Sequence, residues 1–346
     1  MSTEQATLTR KDFQSDQEVR WCPGCGDYAV LAAVQSVLPE LGIEKERLVM
    51  ISGIGCSSRF PYYMNTFGFH SIHGRAPAIA TGLKTSRPDL DVWVATGDGD
   101  AMSIGGNHFI HLLRRNVDVK LLMFNNRIYG LTKGQYSPTS EVGKRTKSSP
   151  LGSVDNPFHP LSLAIGAGAT FVARTVDIFV GHMKETLRRA AAHKGTAYIE
   201  IYQNCNIFND RAFAYMTDRE LREEQTLYIE HGKPLVFGKD ESKGIRLRGT
   251  DLEVIELGNG VGPEDCLVWD EDRQNPALAF LLAQLGPPDF PTPIGIFRAV
   301  DAPPYDAEVV SQLEHAVETR GQGTLKDLIY SGDIWEVGED GAVISR

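Results

Sequence analysis

A doubly wound α/β fold around a mostly parallel sheet is predicted for this chain, and three observations predict it. Strand-like apolar runs alternate with helix-periodic segments from about residue 27 to Cys205, the pattern of βαβ units. The strand-like runs, "RLVMISGIGC" and "VDVKLLMFNN" among them, are continuously apolar, as strands covered on both faces are. Glycine, aspartate and asparagine gather where those runs end, and open α/β sheets bind ligands at that edge.

The elements follow in order. "YAVLAAVQSVLPEL" has helical spacing and precedes the strand "RLVMISGIGC". "APAIATGLKTSRP" reads as a helix stopped by proline, and "DVWVATGDGD" as a strand entering a Gly/Asp turn. "GGNHFIHLLRRN" is the next helix and "VDVKLLMFNN" the strand after it. Residues 130–157 form a long polar loop rich in Gly, Ser and Pro; a loop of that length inside a compact domain is usually functional. "HPLSLAIGAGA", "TFVARTV", "DIFVGHMKETLRRAAAHK" and "AYIEIYQNC" resume the alternation. From residue 217 the composition turns charged and mixed. The expected division is a polar N-terminal arm over 1–20, an α/β domain over 21–216 and an extension over 217–346.

With 346 residues and 42% hydrophobic content, the chain can bury a substantial core. A net charge of −10 without a Lys/Arg-rich block argues against nucleic acid or an anionic membrane as a partner. No apolar run of about 18 residues is present, so no membrane span is expected. The first residues lack the apolar core of a secretory signal, and a cytoplasmic protein is expected. Five cysteines in a chain this long suit thiolate ligands or catalytic thiols better than a disulfide scaffold.

"GDGDAMSIGGNHFIHLLRRNVDVKLLMFNN" carries the most chemistry. Asp98, flanked by Gly97 and Gly99, ends one strand, and Asn126 ends the next. A right-handed helical crossover between parallel strands brings both ends to one sheet edge. A carboxylate and an amide carbonyl are hard oxygen donors suited to Mg²⁺, which also takes phosphate oxygens. Glycines there let backbone approach a phosphate near a helix N-terminus. Taken alone, GDG is also an ordinary turn.

"WCPGCGDYAV" places Cys22 and Cys25 in a turn before the first helix. Cys56 and Cys205 each end a strand of the same sheet, so the four can enclose one four-thiolate site. Zn²⁺ and a [4Fe–4S] cluster both suit four thiolates. A redox dithiol would follow a strand in a thioredoxin-like unit, and this CxxC does not. Cys266, in "GPEDCLVW", stands apart as a free thiol.

GDG followed after this interval by NN resembles the thiamine-diphosphate motif. "NNRIYGLTKGQYSPTS", with "IGCSSR" and "HGRA" upstream, resembles the β subunits of 2-oxoacid:ferredoxin oxidoreductases over roughly residues 20–215. "FPYYMNTFGFHSIHGRA" is most similar to the 2-oxoglutarate branch. The resemblance implies a thiamine-diphosphate-binding sheet domain in which Asp98, Asn126 and the carbonyl of Ile128 hold Mg²⁺. It also implies that Gly97, Gly99, Asp100, Gly130 and Leu131 line the diphosphate, and that Ile54, Gly55, Cys56, Ser57 and His73 face the rest of the cofactor. His108 and His111, on the crossover helix, read as packing or surface residues.

The same resemblance assigns one [4Fe–4S] cluster to Cys22, Cys25, Cys56 and Cys205. Oxidative decarboxylation releases two electrons and ferredoxin accepts one at a time, so a one-electron centre beside the cofactor fits that chemistry. No "CxxCxxCxxxCP" run is present, so electrons are expected to pass straight to ferredoxin. The chain lacks a second α/β unit to supply the Glu that activates thiamine. An α subunit is therefore the expected partner, in an α2β2 heterotetramer, with coenzyme A as second substrate.

Arg59 in "GCSSRF" is the candidate for pairing the distal carboxylate of 2-oxoglutarate. It and His73 are the expected catalytic residues, and Lys133 and Lys144 are lesser candidates for contacting coenzyme A or ferredoxin. Two alternatives stay open: the same chemistry on pyruvate or another 2-oxoacid, and a non-catalytic zinc-containing scaffold.

Overall fold

In the computed structural model, which describes residues 8–345, the first compact unit closes at Tyr305 and the second runs from Asp306. The first seven residues of the expected arm lie outside the described residues.

The first unit is built on eight strands: β1 (Leu48–Ser52), β2 (Phe67–His70), β3 (Asp91–Gly97), β4 (Val119–Asn125), β5 (Phe171–Val176), β6 (Ala197–Tyr202), β7 (Thr226–Ile229) and, later in the chain, β11 (Thr292–Ala299). A small antiparallel sheet of β8 (Val236–Phe237), β9 (Lys243–Arg248) and β10 (Asp251–Glu256) lies between the last two. The main sheet runs in the order β2-β1-β3-β4-β6-β5-β11-β7. Its first six strands are mutually parallel; β11 pairs antiparallel with β5 and parallel with β7.

Period-two alternation gives the sheet two apolar faces. On β3, Val92 and Val94 enter one core while Trp93 and Ala95 enter the other. The helices are α1 (Asp27–Val37), α2 (Ala76–Ser86), α3 (Asp98–Met102), α4 (Gly106–Arg115), α5 (Pro160–Gly166) and α6 (Val180–Ala192). Ala80 of α2, Phe109 and Leu112 of α4 and Leu161 of α5 cover the first face; Val30 and Val34 of α1 and Met183 and Leu187 of α6 cover the second. This is the doubly wound arrangement the sequence predicts.

Two features differ from the expected division. The extension from residue 217 contributes β7 and β11 to the main sheet, so the sheet domain does not stop at residue 216. Their partner strands lie far off in sequence, and β11 departs from regular register between Ile296 and Arg298. The GDG segment also opens a short helix directly at Asp98 instead of forming a free turn. The second unit holds most of the helix Tyr305–Arg320, a short helix Leu325–Ile329 and an antiparallel pair, Trp335–Val337 with Val343–Ser345. No helix among the described residues is long and apolar enough to cross a membrane.

Candidate active site at the carboxyl edge of the sheet

Because β1, β3, β4 and β6 run parallel, the segments after them converge on one edge: Ile54–Ser57, Asp98–Asp100, Asn126–Leu131 and Gln203–Cys205. There residues 203–205 flank a neighbouring cavity, and the first three segments enclose a cleft of about 350 Å³. Its lining includes Ile54, Gly55, Cys56, Ser57, His73, Gly97, Asp98, Gly99, Asp100, Asn126, Ile128, Gly130 and Leu131, together with Phe124, Tyr129 and Asp27. The residues singled out for Mg²⁺ and thiamine diphosphate are thus brought together.

Asp98 is 2% exposed. Ser137 Oγ and Thr139 Oγ1 both donate to its Oδ2, at 2.5 and 2.6 Å. Burial raises its pKa and these two hydroxyls pull it back down. Both hydroxyls come from "SPTS" (137–140) in the long loop, and Ser140 Oγ donates to the Arg127 carbonyl at 2.7 Å. One tetrapeptide therefore latches the loop onto the ends of β3 and β4.

Asn125 is buried beside them. Its Nδ2 donates to Glu200 Oε1 at 2.8 Å and its Oδ1 lies 3.0 Å from Thr139 Oγ1, whose single proton goes chiefly to Asp98, while Arg174 Nε donates to Glu200 Oε2 at 2.7 Å. A hydrogen-bonded row thus runs from the centre of the sheet to Asp98, and removing one member would leave its neighbours buried and unpaired. Asn126 projects toward the cleft, donates from Nδ2 to Gln203 Oε1 at 2.9 Å and accepts from the Ile128 N–H at 3.2 Å. A carboxylate held through one oxygen, an amide carbonyl and a nearby backbone carbonyl are a donor set that fits Mg²⁺.

Asp100 has a structural task besides its place in the cleft lining. Its Oδ1 accepts from the backbone N–H of Ile54 (3.1 Å) and Gly74 (2.7 Å) and lies 2.6 Å from His73 Nδ1; its Oδ2 accepts from Thr96 (2.7 Å). It lines the cleft while tying the turns after β1 and β2 to β3. A Cβ on Gly53 would fall 1.8 Å from this carboxylate, and one on Gly99 would fall 2.2 Å from the Tyr129 ring. Both glycines are there for close approach.

Behind one wall lies a second cavity of about 360 Å³, lined by Cys22, Cys25, Cys56 and Cys205 with Trp21, Arg59 and Gln203. Asn206 Nδ2 donates to the Pro23 carbonyl (2.6 Å) and Trp21 Nε1 to the Cys56 carbonyl (2.7 Å), tying the CxxC turn to the other two cysteine segments. Gly24 makes that turn with φ +82°. A Cβ on Gly130 would lie 3.5 Å from both Cys56 and Cys205 Sγ, so its bare backbone forms part of the wall between the cavities.

Among the described residues, one set of three metal-ligating atoms lies mutually within 4.8 Å: His231, Asp270 and Asp272, all exposed. No three of the four cysteine sulfurs approach that closely. Burial, then the charge of Asp27, pushes the Cys25 thiol well up and the Cys56 thiol to about 12. Thiolates here need a cationic centre to hold them. Asp27 itself is buried, neither of its carboxylate oxygens finds a hydrogen-bond donor, and burial raises its pKa to about 7.

Arg59 lines the cysteine cavity and not the cofactor cleft, and its Nη1 donates to the Arg20 carbonyl at 3.2 Å. Lys133 lines the same cavity, whereas Lys144 pairs with Glu141 in the loop. The sequence reasoning missed Asp27, Tyr129, the SPTS hydroxyls and Gln203. The length of the 130–157 loop was the one visible signal, and it pointed only to the SPTS hydroxyls.

An α/β sheet with these oxygen donors, glycines and adjoining thiols at its carboxyl edge defines a thiamine-dependent enzyme domain. The sequence model for "Thiamine pyrophosphate enzyme, C-terminal TPP binding domain" matches residues 53–201. The chain is 54% identical over 330 residues to 2-oxoglutarate oxidoreductase subunit KorB of Mycobacterium tuberculosis, covering 94% of this chain and 88% of that one. It is 38% identical to the β subunit of 2-oxoacid:ferredoxin oxidoreductase 2 of Aeropyrum pernix, over 76% of this chain and 84% of that one. A solved structure of 2-oxoglutarate:ferredoxin oxidoreductase from Magnetococcus marinus, with 2-oxoglutarate, coenzyme A and succinyl-CoA bound, superposes with a TM-score of 0.73 at 32% identity, covering 95% of this chain and 97% of that one. The chain belongs to the β-subunit family of 2-oxoacid:ferredoxin oxidoreductases.

Proposed function

We propose that this chain is the β subunit of an enzyme converting 2-oxoglutarate, coenzyme A and oxidised ferredoxin reversibly to succinyl-CoA, CO₂ and reduced ferredoxin in the cytoplasm. The observation that carries the reading is the pair of adjoining cavities, one rimmed by oxygen donors and glycines and one by four cysteines, with Gly130 between them. The 2-oxoglutarate relatives support the substrate, ahead of pyruvate or another 2-oxoacid.

Asp98, Asn126 and the Ile128 carbonyl would hold Mg²⁺, which would supply positive charge for the diphosphate, and Gly97, Gly99 and Gly130 would let the backbone approach it. Bound thiamine diphosphate supplies the carbon that takes up the 2-oxoacid and stabilises its electrons after CO₂ leaves. The chain's own residues bind and orient: Asp98 is fixed by Ser137 and Thr139, Asn126 by Gln203, and His73 by Asp100 at the cleft mouth. Cys22, Cys25, Cys56 and Cys205 hold one [4Fe–4S] cluster, a one-electron carrier.

Relatives that pass electrons to ferredoxin support the cluster ahead of zinc, because two electrons released at the cofactor call for a one-electron carrier beside it and zinc has no redox chemistry. An α subunit closes the cleft and brings the activating Glu, in an α2β2 assembly.

The test is anaerobic purification with and without the partner subunit, followed by ferredoxin reduction with a panel of 2-oxoacids. The complex should be brown and most active with 2-oxoglutarate, and this chain alone inactive. Turnover by the isolated chain, or one zinc and no iron, would refute the reading. Arg59→Met addresses the distal carboxylate: if its guanidinium pairs with it, preference for 2-oxoglutarate over pyruvate should fall by about tenfold or more. An unchanged ratio returns Arg59 to the cysteine cavity's wall.

A further inference from the structure

Gln203 follows β6 between the two cavities and is 1% exposed. Its Oε1 accepts from Asn126 Nδ2 at 2.9 Å. Its Nε2 donates to the Asn204 carbonyl at 2.6 Å and lies 3.2 Å from Cys25 Sγ. A primary amide has two N–H groups, and both are used here. The orientation is fixed by its surroundings, because a flipped amide would set two oxygens 2.6 Å apart and point Asn126 Nδ2 at another donor. One buried side chain therefore touches a residue of the oxygen-donor set and a cysteine of the second cavity.

We propose that Gln203 is a positioning residue for both centres: it aims the Asn126 carbonyl at the divalent ion and gives Cys25 an N–H···S hydrogen bond that raises the potential of the cluster. The inference rests on the cofactor assignments above.

Its physical basis is simple. Asn126 can present Oδ1 to the cleft only while Nδ2 has an acceptor on the opposite side, and Gln203 Oε1 is that acceptor. Neighbours that orient metal ligands in this way matter about 10- to 100-fold in metal affinity. At the other end, a hydrogen bond to a thiolate stabilises negative charge, and a reduced cluster carries one more negative charge than an oxidised one. The bond therefore favours reduction, in the direction that hydrogen bonds to cluster sulfurs act generally. Cys25 is half-buried beside the buried carboxylate of Asp27, and the donating amide of Gln203 is itself buried, so water competes poorly for the bond. An electron leaving the cofactor cleft thus meets a cluster poised by the residue that also holds the ion's ligand.

The experiment uses the assembled enzyme carrying Gln203→Met, which keeps side-chain length and removes both hydrogen-bonding functions. Two readings are taken: the midpoint potential of the cluster by EPR-monitored redox titration, and the Kd of Mn²⁺, replacing Mg²⁺, with thiamine diphosphate present. The potential should be lower than in the wild type and the Mn²⁺ Kd about 10- to 100-fold weaker, at normal iron content. A wild-type value for either reading overturns the dual role. If the variant does not incorporate iron, the wild-type enzyme labelled with nitrogen-15 in its glutamine side-chain amides decides: the reduced cluster should show a nitrogen-15 hyperfine coupling, and its absence overturns the bond. Gln203 is the glutamine lining the cysteine cavity. Iron and sulfide at background in the wild type would instead fail the cluster assignment itself, before any effect of Gln203 is read.

Discussion

Cys205→Ser is expected to abolish the proposed cluster, with iron and acid-labile sulfide each falling from about four per chain to background and ferredoxin reduction becoming undetectable. The reason lies in how the cysteines are held. Cys22 and Cys25 share one turn, but Cys205 follows β6, so losing it removes the ligand contributed by a different strand. A serine hydroxyl is far less acidic and harder than a thiolate, and soft ligands are what such clusters select. Of the three remaining thiols, Cys25 and Cys56 are half-buried with their pKa values pushed up by desolvation, and without the cluster iron none has an ion to keep it deprotonated. Thiamine diphosphate binding should survive, because Cys205 does not line the cofactor cleft. Cys266→Ser is the matched control. That thiol packs against Gly244 in the extension, and its loss should leave iron content unchanged. Iron retained in Cys205→Ser at the wild-type level would overturn the four-cysteine assignment.

The parts of this site legible in the sequence are those whose chemistry is rare in a random turn. Paired GDG and NN at strand ends, and a CxxC with two more cysteines at strand ends, each narrow the possibilities because the crossover rule brings parallel strand ends together. The strands β1, β3, β4 and β6 were legible for the same reason: covered on both faces, they read as unbroken apolar runs. The edge strand β2 reads differently because Phe67 and Phe69 are exposed on it, and β7 and β11 pair across long stretches of chain that leave no local signal. Gln203, Ser137 and Thr139 were illegible because a small polar residue in a loop looks the same whether it faces water or a buried carboxylate. Arg59 shows the converse limit. Proximity to Cys56 in sequence suggested the cofactor cleft, yet the 3-10 turn Ser57–Tyr63 carries its side chain to the neighbouring cavity.

Asp98→Asn should separate metal binding from folding. Asp98 is the charged member of the oxygen-donor set, the others being the amide of Asn126 and the carbonyl of Ile128. Replacing carboxylate with amide removes a unit charge from beside a divalent ion; two unit charges at 4 Å in an effective dielectric of 20 are worth about 4 kcal/mol, so affinity should fall by at least roughly 10³. Mg²⁺ and thiamine diphosphate should both be lost on gel filtration, and turnover should fall by a similar factor at limiting cofactor. The fold should not suffer. Ser137 and Thr139 donate to a single oxygen of Asp98, and the carbonyl of asparagine can accept both in its place. Relative to the metal-free wild type, the metal-free variant should gain stability as pH rises. Burial sets the folded pKa of Asp98 above its ordinary value, so in the wild type its contribution is most favourable below the ordinary value and declines as pH climbs toward the folded one. Asparagine has no such decline. Thermal melts of both metal-free proteins at about pH 4, near the ordinary carboxylate value, and at pH 8 should therefore diverge in favour of Asn at the higher pH. Wild-type Mg²⁺ affinity in Asp98→Asn would move the ion away from Asp98, and with it the reading of GDG as the metal-binding turn.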